Sequence, residues 1–257
     1  MKDLILDVLG LGVWTPAFPG LAAWTERAPE PLPERVKAPV LDRQCSRRAS
    51  LFSKSMALAF SEATTNLDRA STPTVFGSAL GETAVMLKLL EQMIQGDDDF
   101  SPMAFAVSVH NAASGLVSIS TKNRAFTTSL AADHDTPAMG LVEAWGVSRR
   151  FNAPVVLVCG DEAVPDGLVG DHERFDHLAV AVAVSAAHLE EVPSIARLSG
   201  FALDGTGGWA ENVPPALTRN PQAGLLDQVY RIAHRRPGRV RLDRGRGSGW
   251  SAEVVPL

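Results

Sequence analysis

Short apolar runs alternate along this chain with longer stretches in which apolar residues recur at helical spacing. Residues 4–13 are almost unbroken in apolar character and lead into Trp14, Pro16, Pro19 and Gly20, which predicts a buried strand followed by a loop. Residues 73–78 and 126–131 predict two further short strands. Residues 154–160 and 177–185 are apolar throughout, as strands become when helices cover both faces of a sheet. Between them, Leu51, Phe52, Met56, Leu58, Ala59 and Ala63 predict a helix over 47–67, and Val85, Met86, Leu89, Leu90, Met93 and Ile94 predict another over 81–95. Residues 110–120 read as a helix rich in small side chains. Residues 137–150 read as one that starts at Pro137, a residue suited to the first turn. Pro29, Pro31, Pro33 and Pro39 impose an extended connection upstream.

The resulting order of elements predicts an α/β fold in layers. Past residue 200 the pattern thins. Asp204-Gly205-Thr206-Gly207-Gly208 and Pro214-Pro215 are loop chemistry, residues 223–233 predict a helix, and residues 249–255 predict a last strand. The expected division is 1–165 as one organised half and 166–257 as a reduced half packed on the same domain.

Bulk properties narrow the function classes. With 257 residues, 46% apolar and 21% charged, the chain carries enough apolar mass for a sizeable core. A net charge of −5 argues against nucleic acid as a partner. The one basic concentration, residues 235–246, holds six arginines and reads either as a solvated tail or as a surface for an acidic partner such as a carrier protein. No apolar run approaches the roughly 20 residues that span a bilayer. With no leader-like segment at the start, the expectation is a cytoplasmic protein without a membrane span. Cys45 and Cys159 are too few for a disulfide framework or a metal cluster. Cys159 closes an apolar strand and is expected to be inert, while Cys45 sits among Arg43, Arg47 and Arg48 and is either reactive or incidental.

The densest chemistry lies between residues 101 and 162. Ser101-Pro102 leads into His110-Asn111-Ala112-Ala113-Ser114-Gly115, then a β-rich run ends at Asp133-His134-Asp135-Thr136. Metal binding at that last segment is not expected, because adjacent residues seldom point at one ion. His110 and Ser114 share a helical face and permit one alternative, a Ser114/His110 acyl hydrolase or acyltransferase, although Ala113-Ser114-Gly115 is not a nucleophile elbow.

This segment resembles the N-terminal half of β-ketoacyl synthases, members of the thiolase-like family. Arg47-Arg48, Phe76-Gly77-Ser78, Ser101-Pro102, Asn111 with Gly115, and Val156-Leu157-Val158-Cys159-Gly160-Asp161-Glu162 carry the resemblance. More narrowly, Leu11-Gly12-Val13-Trp14-Thr15-Pro16 and Gly77-Ser78-Ala79-Leu80-Gly81-Glu82 resemble the short chain-length-factor subunits of aryl polyene systems. The resemblance implies a thiolase-like layered α-β-α fold with a complete N-terminal half and a truncated C-terminal half. It places the family's nucleophilic cysteine at His134, so the resemblance implies no catalytic residue in this chain.

The family's two catalytic histidines also lack counterparts. His172, His177, His188 and His234 stand in unrelated contexts, and Asp204 precedes Gly205-Thr206-Gly207 where a histidine would stand. His134 either fills the turn as a hydrogen-bonded polar residue or assists decarboxylation or the subunit interface. The implied substrate tunnel uses Leu80, Thr83, Leu87, Ala104 and Ser108, although the helical face of the first three is equally explained as core. The implied interface uses His110, Asn111, Ser114, Phe126 and Thr128. The implied partners are a full-length ketosynthase and an acyl carrier protein whose phosphopantetheine bears the substrate, with no other cofactor. A scaffold that binds carrier protein without lining a tunnel is the remaining alternative.

Overall fold

The computed structural model describes residues 4–96, 101–164, 174–187, 189, 192–207 and 213–257. Its strands are β1 (Leu6–Trp14), β2 (Thr74–Gly77), β3 (Thr127–Leu130), β4 (Val155–Asp161), β5 (Leu178–Ser185), β6 (Ala196–Leu203), β7 (Gly238–Arg241) and β8 (Trp250–Pro256). They form one sheet of eight in the order β3-β2-β4-β5-β1-β6-β8-β7. β2 is parallel to both β3 and β4, whereas β5 is antiparallel to β4 and β1. The helices are α1 (Leu21–Glu26), α2 (Arg43–Arg48), α3 (Leu51–Ala63), α4 (Thr83–Gln95), α5 (Pro102–Val107), α6 (Ala112–Thr121), α7 (Thr136–Phe151) and α8 (Ala223–Ala233).

Side-chain alternation along the central strands builds two cores. Leu178, Val180, Val182 and Val184 of β5, with Val155 and Leu157 of β4, pack against Leu141, Leu225 and Leu226 of α7 and α8. Ala179, Ala181 and Ala183 face the other way, toward Phe52, Met56 and Phe60 of α3. Valine on one face and alanine on the other lets α3 lie close to the sheet. Gly12 completes that approach, since a Cβ there would stand 2.0 Å from the Ala59 carbonyl oxygen. A bulge between Val8 and Gly10 shifts the alternation of β1, so that Leu6, Val8, Leu11 and Val13 all reach the α7 side.

Several elements depart from the sequence pattern. The helix expected over 47–67 is two helices, broken where the Ser50 hydroxyl accepts from Ser53 N and caps α3. The short helices α1 and α5 lacked enough turns to show a period. β6 was invisible because its inward positions are interrupted at Gly200, which takes a left-handed φ of 59°. β7 was hidden inside the arginine run, in which Arg235, Arg236 and Arg246 are exposed while the other three are engaged by the fold. The Arg239 Nη2 reaches Asp204 Oδ2 at 3.2 Å and Arg241 Nε donates to Asp243 Oδ1 at 2.7 Å, while Arg244 lies buried 3.7 Å from Asp227. These guanidiniums fasten β7 and the following turn onto the sheet.

No helix among the described residues is long and apolar enough to cross a membrane.

Candidate functional site

Three parallel strands, β2, β3 and β4, end on the same side of the sheet, where ligand crevices of open α/β sheets form. Their carboxyl ends deliver Ser78, Ala132 to His134, and Asp161-Glu162. The turn after β3 is clamped by Thr136: its Oγ1 donates to the Asp133 carbonyl at 2.7 Å and accepts from Ala132 N at 3.0 Å. Asp133 takes a left-handed φ of 49°, a conformation Asp tolerates better than most residues. This sharp turn projects His134, half-buried, with Nε2 4.0 Å from the exposed Asp133 carboxylate.

Asp161 organises the loop after β2. Its carboxyl group accepts from Ser78 Oγ at 2.7 Å, Ala79 N at 3.1 Å, Leu80 N at 2.9 Å and Gln222 Nε2 at 2.6 Å. Complete burial still pushes its pKa upward, against the pull of those four donors. Glu82 accepts from Ser50 Oγ and Ser53 Oγ, and burial raises its pKa as well. Glu162 accepts from Ala84 N at 2.7 Å, and its pKa is pushed up to about 7, first by burial and then by the charges of Glu82 and Asp161. Three carboxyl groups thus secure the start of α4.

The residues singled out from the sequence fall into three places. Leu80 is exposed and lines the small pocket at His134. Ala104 lines a separate surface pocket with Arg47, Arg48 and Lys88. Thr83 is buried, Leu87 is half-buried on α4, and the Ser108 hydroxyl donates to the Phe105 carbonyl. Among the described residues these five side chains do not surround one cavity.

His110 Nε2 is bonded to the Ser78 carbonyl at 2.8 Å, and Ser114 Oγ donates to the Asn111 carbonyl at 2.9 Å. His110 and Ser114 therefore do not form the dyad that a hydrolase would need. Asn111 is exposed beside them. Phe126 is exposed and stacks on Phe151 at 5.7 Å, and Thr128 lies on β3, an edge strand whose outer side meets no other described strand.

The contact sequence reasoning missed is Ser55 Oγ with His177 Nε2 at 2.7 Å. Ser55 already donates to the Phe52 carbonyl, so His177 supplies the proton of that bond. Both are buried among Trp14 and Phe52, and burial lowers the His177 pKa to about 4. No substrate reaches this pair, which is a core hydrogen bond. His172 and His188 lie outside the described residues. Asp204 accepts from Thr206 N, Thr206 Oγ1 and Ser251 Oγ, which hold its pKa at about 2 and make it the organiser of a turn. Both thiols are buried, and burial drives the Cys159 pKa far upward.

The family model for the β-ketoacyl synthase N-terminal domain matches residues 22–200, most of the chain. The chain belongs to the β-ketoacyl synthase family. No curated protein matches the sequence. Among solved structures, this ketosynthase-like chain is similar to a chain of a ketosynthase (ApeO) in complex with its chain length factor (ApeC) from Xenorhabdus doucetiae, with TM-score 0.70, 21% identity, and 98% and 99% of the two chains covered. It is also similar to a chain of AntDE:AntF, a type II polyketide synthase acyl-carrier protein in complex with its ketosynthase, with TM-score 0.79, 11% identity and 100% of both chains covered. A third likeness is to the ishigamide ketosynthase/chain length factor, with TM-score 0.63, 14% identity, and 89% and 73% covered. These likenesses establish a thiolase-like ketosynthase fold.

Proposed function

We propose that this chain is a non-catalytic, ketosynthase-like subunit, a chain-length factor, that pairs with a full-length β-ketoacyl synthase and shapes the acyl tunnel in which the partner extends a chain. The observation that carries this reading is the turn after β3. The resemblance puts His134 where the family carries its thiol, and a family member without that thiol has no group to hold an acyl chain. The buried Cys45 and Cys159 are not substitutes, and no dyad joins Ser114 to His110. The alternative hydrolase has lost its geometric basis.

The surface beside the turn supports a partner. β3 is an edge strand, a template for pairing with another sheet. α6 packs against β3. Met103, Phe105 and Ile119 of α5 and α6 stand 55%, 66% and 66% exposed, and a groove of about 480 Å³ runs between these two helices. A contiguous apolar surface of this kind marks an interaction site. Of the interface residues that the resemblance implies, Asn111 lines this groove and Thr128 lies on the β3 edge. The tunnel residues Leu80, Thr83, Leu87, Ala104 and Ser108 line no common cavity here because the other wall belongs to the partner.

In this reading the substrate arrives on the phosphopantetheine of an acyl carrier protein in the cytoplasm, and the pair builds a polyketide, aryl polyene or fatty acyl chain by decarboxylative condensation. Co-expression with the full-length ketosynthase tests it. The two should co-purify in equal amounts, this chain alone should acquire no covalent acyl group, and Leu87→Ala should lengthen the product. An acyl group trapped on this chain, or product length indifferent to Leu87 and Thr83, overturns the proposal. The second of those results would leave only a carrier-binding scaffold.

A further inference from the structure

Helix α4 rests lightly on the rest of the fold. Of its 13 residues only Thr83 and Leu89 are buried. Its N-cap residue, Glu82, makes no side-chain capping bond. The cap comes from across the fold: Glu162, just past the end of β4, accepts from Ala84 N at 2.7 Å. Glu82 is turned instead to the start of α3, where Ser50 Oγ donates to its Oε1 at 2.9 Å and Ser53 Oγ donates to the same oxygen. Its Oε2 is buried and has no hydrogen-bond partner.

Asp161 completes a cluster of three carboxyl groups. It is fully enclosed and holds the loop before α4 through Ser78 Oγ, Ala79 N and Leu80 N. Glu82 and Asp161 both act on Glu162 as like charges. Among the described residues no ion pair joins any of the three to a cation. Arg47, Arg48 and Lys88 line the surface pocket beside Ala84 without forming such a pair, and His110, packed against Gly81, is bonded to the Ser78 carbonyl. Burial and mutual repulsion favour the protonated form of a cluster like this, and its full charge is accommodated only where water reaches it.

We infer that the three carboxyl groups form a proton-operated latch: protonated Glu162 keeps the first turn of α4 closed on the end of β4, and its ionisation releases that turn to solvent. In the protonated form the carbonyl oxygen of Glu162 still accepts from Ala84 N. The closed turn retains a proton that the open turn gives up. Opening therefore grows as pH rises above the ordinary carboxyl range and levels off above about 7. The released segment carries Leu80, Thr83 and Leu87, the side chains assigned above to the acyl tunnel. The latch itself does not rest on that assignment, since all its parts belong to this chain.

Hydrogen exchange of the full chain tests it, read by mass spectrometry on peptides covering residues 78–92 and corrected for the intrinsic pH dependence of exchange. From pH 6 to pH 8 the protection of the first turns of α4 should fall about tenfold, while peptides from α7 keep theirs. Glu162→Gln keeps an acceptor for Ala84 N and carries no charge, so the fall should shrink to about twofold or less, the remainder coming from Glu82 and Asp161. Glu82→Gln keeps an acceptor for the two serines and removes one like charge, and should move the fall to lower pH. Parent protection in α4 that stays level from pH 6 to pH 8, or a Glu162→Gln variant that loses as much as the parent, overturns the latch. Equal losses in α4 and α7 mark global unfolding and overturn it as well.

Discussion

Helices α7 and α8 bury their apolar residues against the sheet: Leu141, Ala144, Leu225, Leu226 and Val229 are completely enclosed. Helix α4 carries as many apolar side chains, yet of its stripe only Leu89 is fully covered, while Met86, Leu90, Met93 and Ile94 face outward, the last 86% exposed. Helices α5 and α6 continue that exposed surface through Met103, Phe105 and Ile119. One region has satisfied its hydrophobic residues internally, and the other keeps a comparable stock in water. That imbalance is the clearest difference between the two regions. The chain's core and its exposed apolar surface are written in different helices.

The sharpest way to break this contrast is a matched pair of truncations. Leu141→Ala on α7 should cost about 3 kcal/mol through lost burial and an unfilled cavity, lowering the melting temperature by roughly 6–12 °C. Leu90→Ala on α4, 44% exposed, should cost within about 0.5 kcal/mol. Thermal and urea unfolding of the isolated chain measure both. If the two variants melt alike, α4 is packed in solution and the contrast fails.

The second test moves to the partner complex and expects a somewhat smaller energy. Phe105→Ala and Ile119→Ala should leave the melting temperature of the isolated chain within about 1–2 °C of the parent. Each should weaken association with the full-length ketosynthase by about thirtyfold, the effect of an aromatic or aliphatic anchor worth about 2 kcal/mol. Surface plasmon resonance on the co-purified pair gives the number. Unchanged affinity in both variants would place the interface elsewhere.

The sealed side was the legible one. Alternating Val and Ala in β5 and the apolar run of β4 identify strands covered on both faces, and the structure has them there. The turn that carries Asp133-His134-Asp135 was readable too, because it falls between a short strand, Thr127–Leu130, and a helix with Pro137 in its first turn. Three things were not. β7 lies within the arginine run, where charge masks a strand whose outward residues form ion pairs. The role of Asp161 depends on Ser78 and Gln222, 83 and 61 residues away, contacts that no local pattern announces. The Ser55–His177 bond spans 122 residues and likewise had no local signal, while the suggestive spacing of His110 and Ser114 led to no bond at all.

The smallest effect concerns Glu162, which stands where the two sides meet. Its carboxyl group accepts the Ala84 N–H at 2.7 Å and so ties the start of α4 to the end of β4. Burial, reinforced by Glu82 and Asp161, raises its pKa from 4.5 to about 7. The folded state therefore keeps a proton that the unfolded state releases. The associated stability is complete below about pH 4.5 and is lost as pH rises through about 7. With the group partly open to solvent, that loss amounts to about 1–2 kcal/mol at pH 8. Glu162→Gln keeps an acceptor for Ala84 N and cannot ionise. The variant should match the parent at pH 5 and melt about 3–6 °C higher at pH 8. Glu82 and Asp161, both raised by burial, leave a residual slope of the same sign in the variant. A parent and variant with identical melting curves at both pH values would mean that Glu162 is solvated, and that α4 is attached to the sheet by less than its geometry indicates.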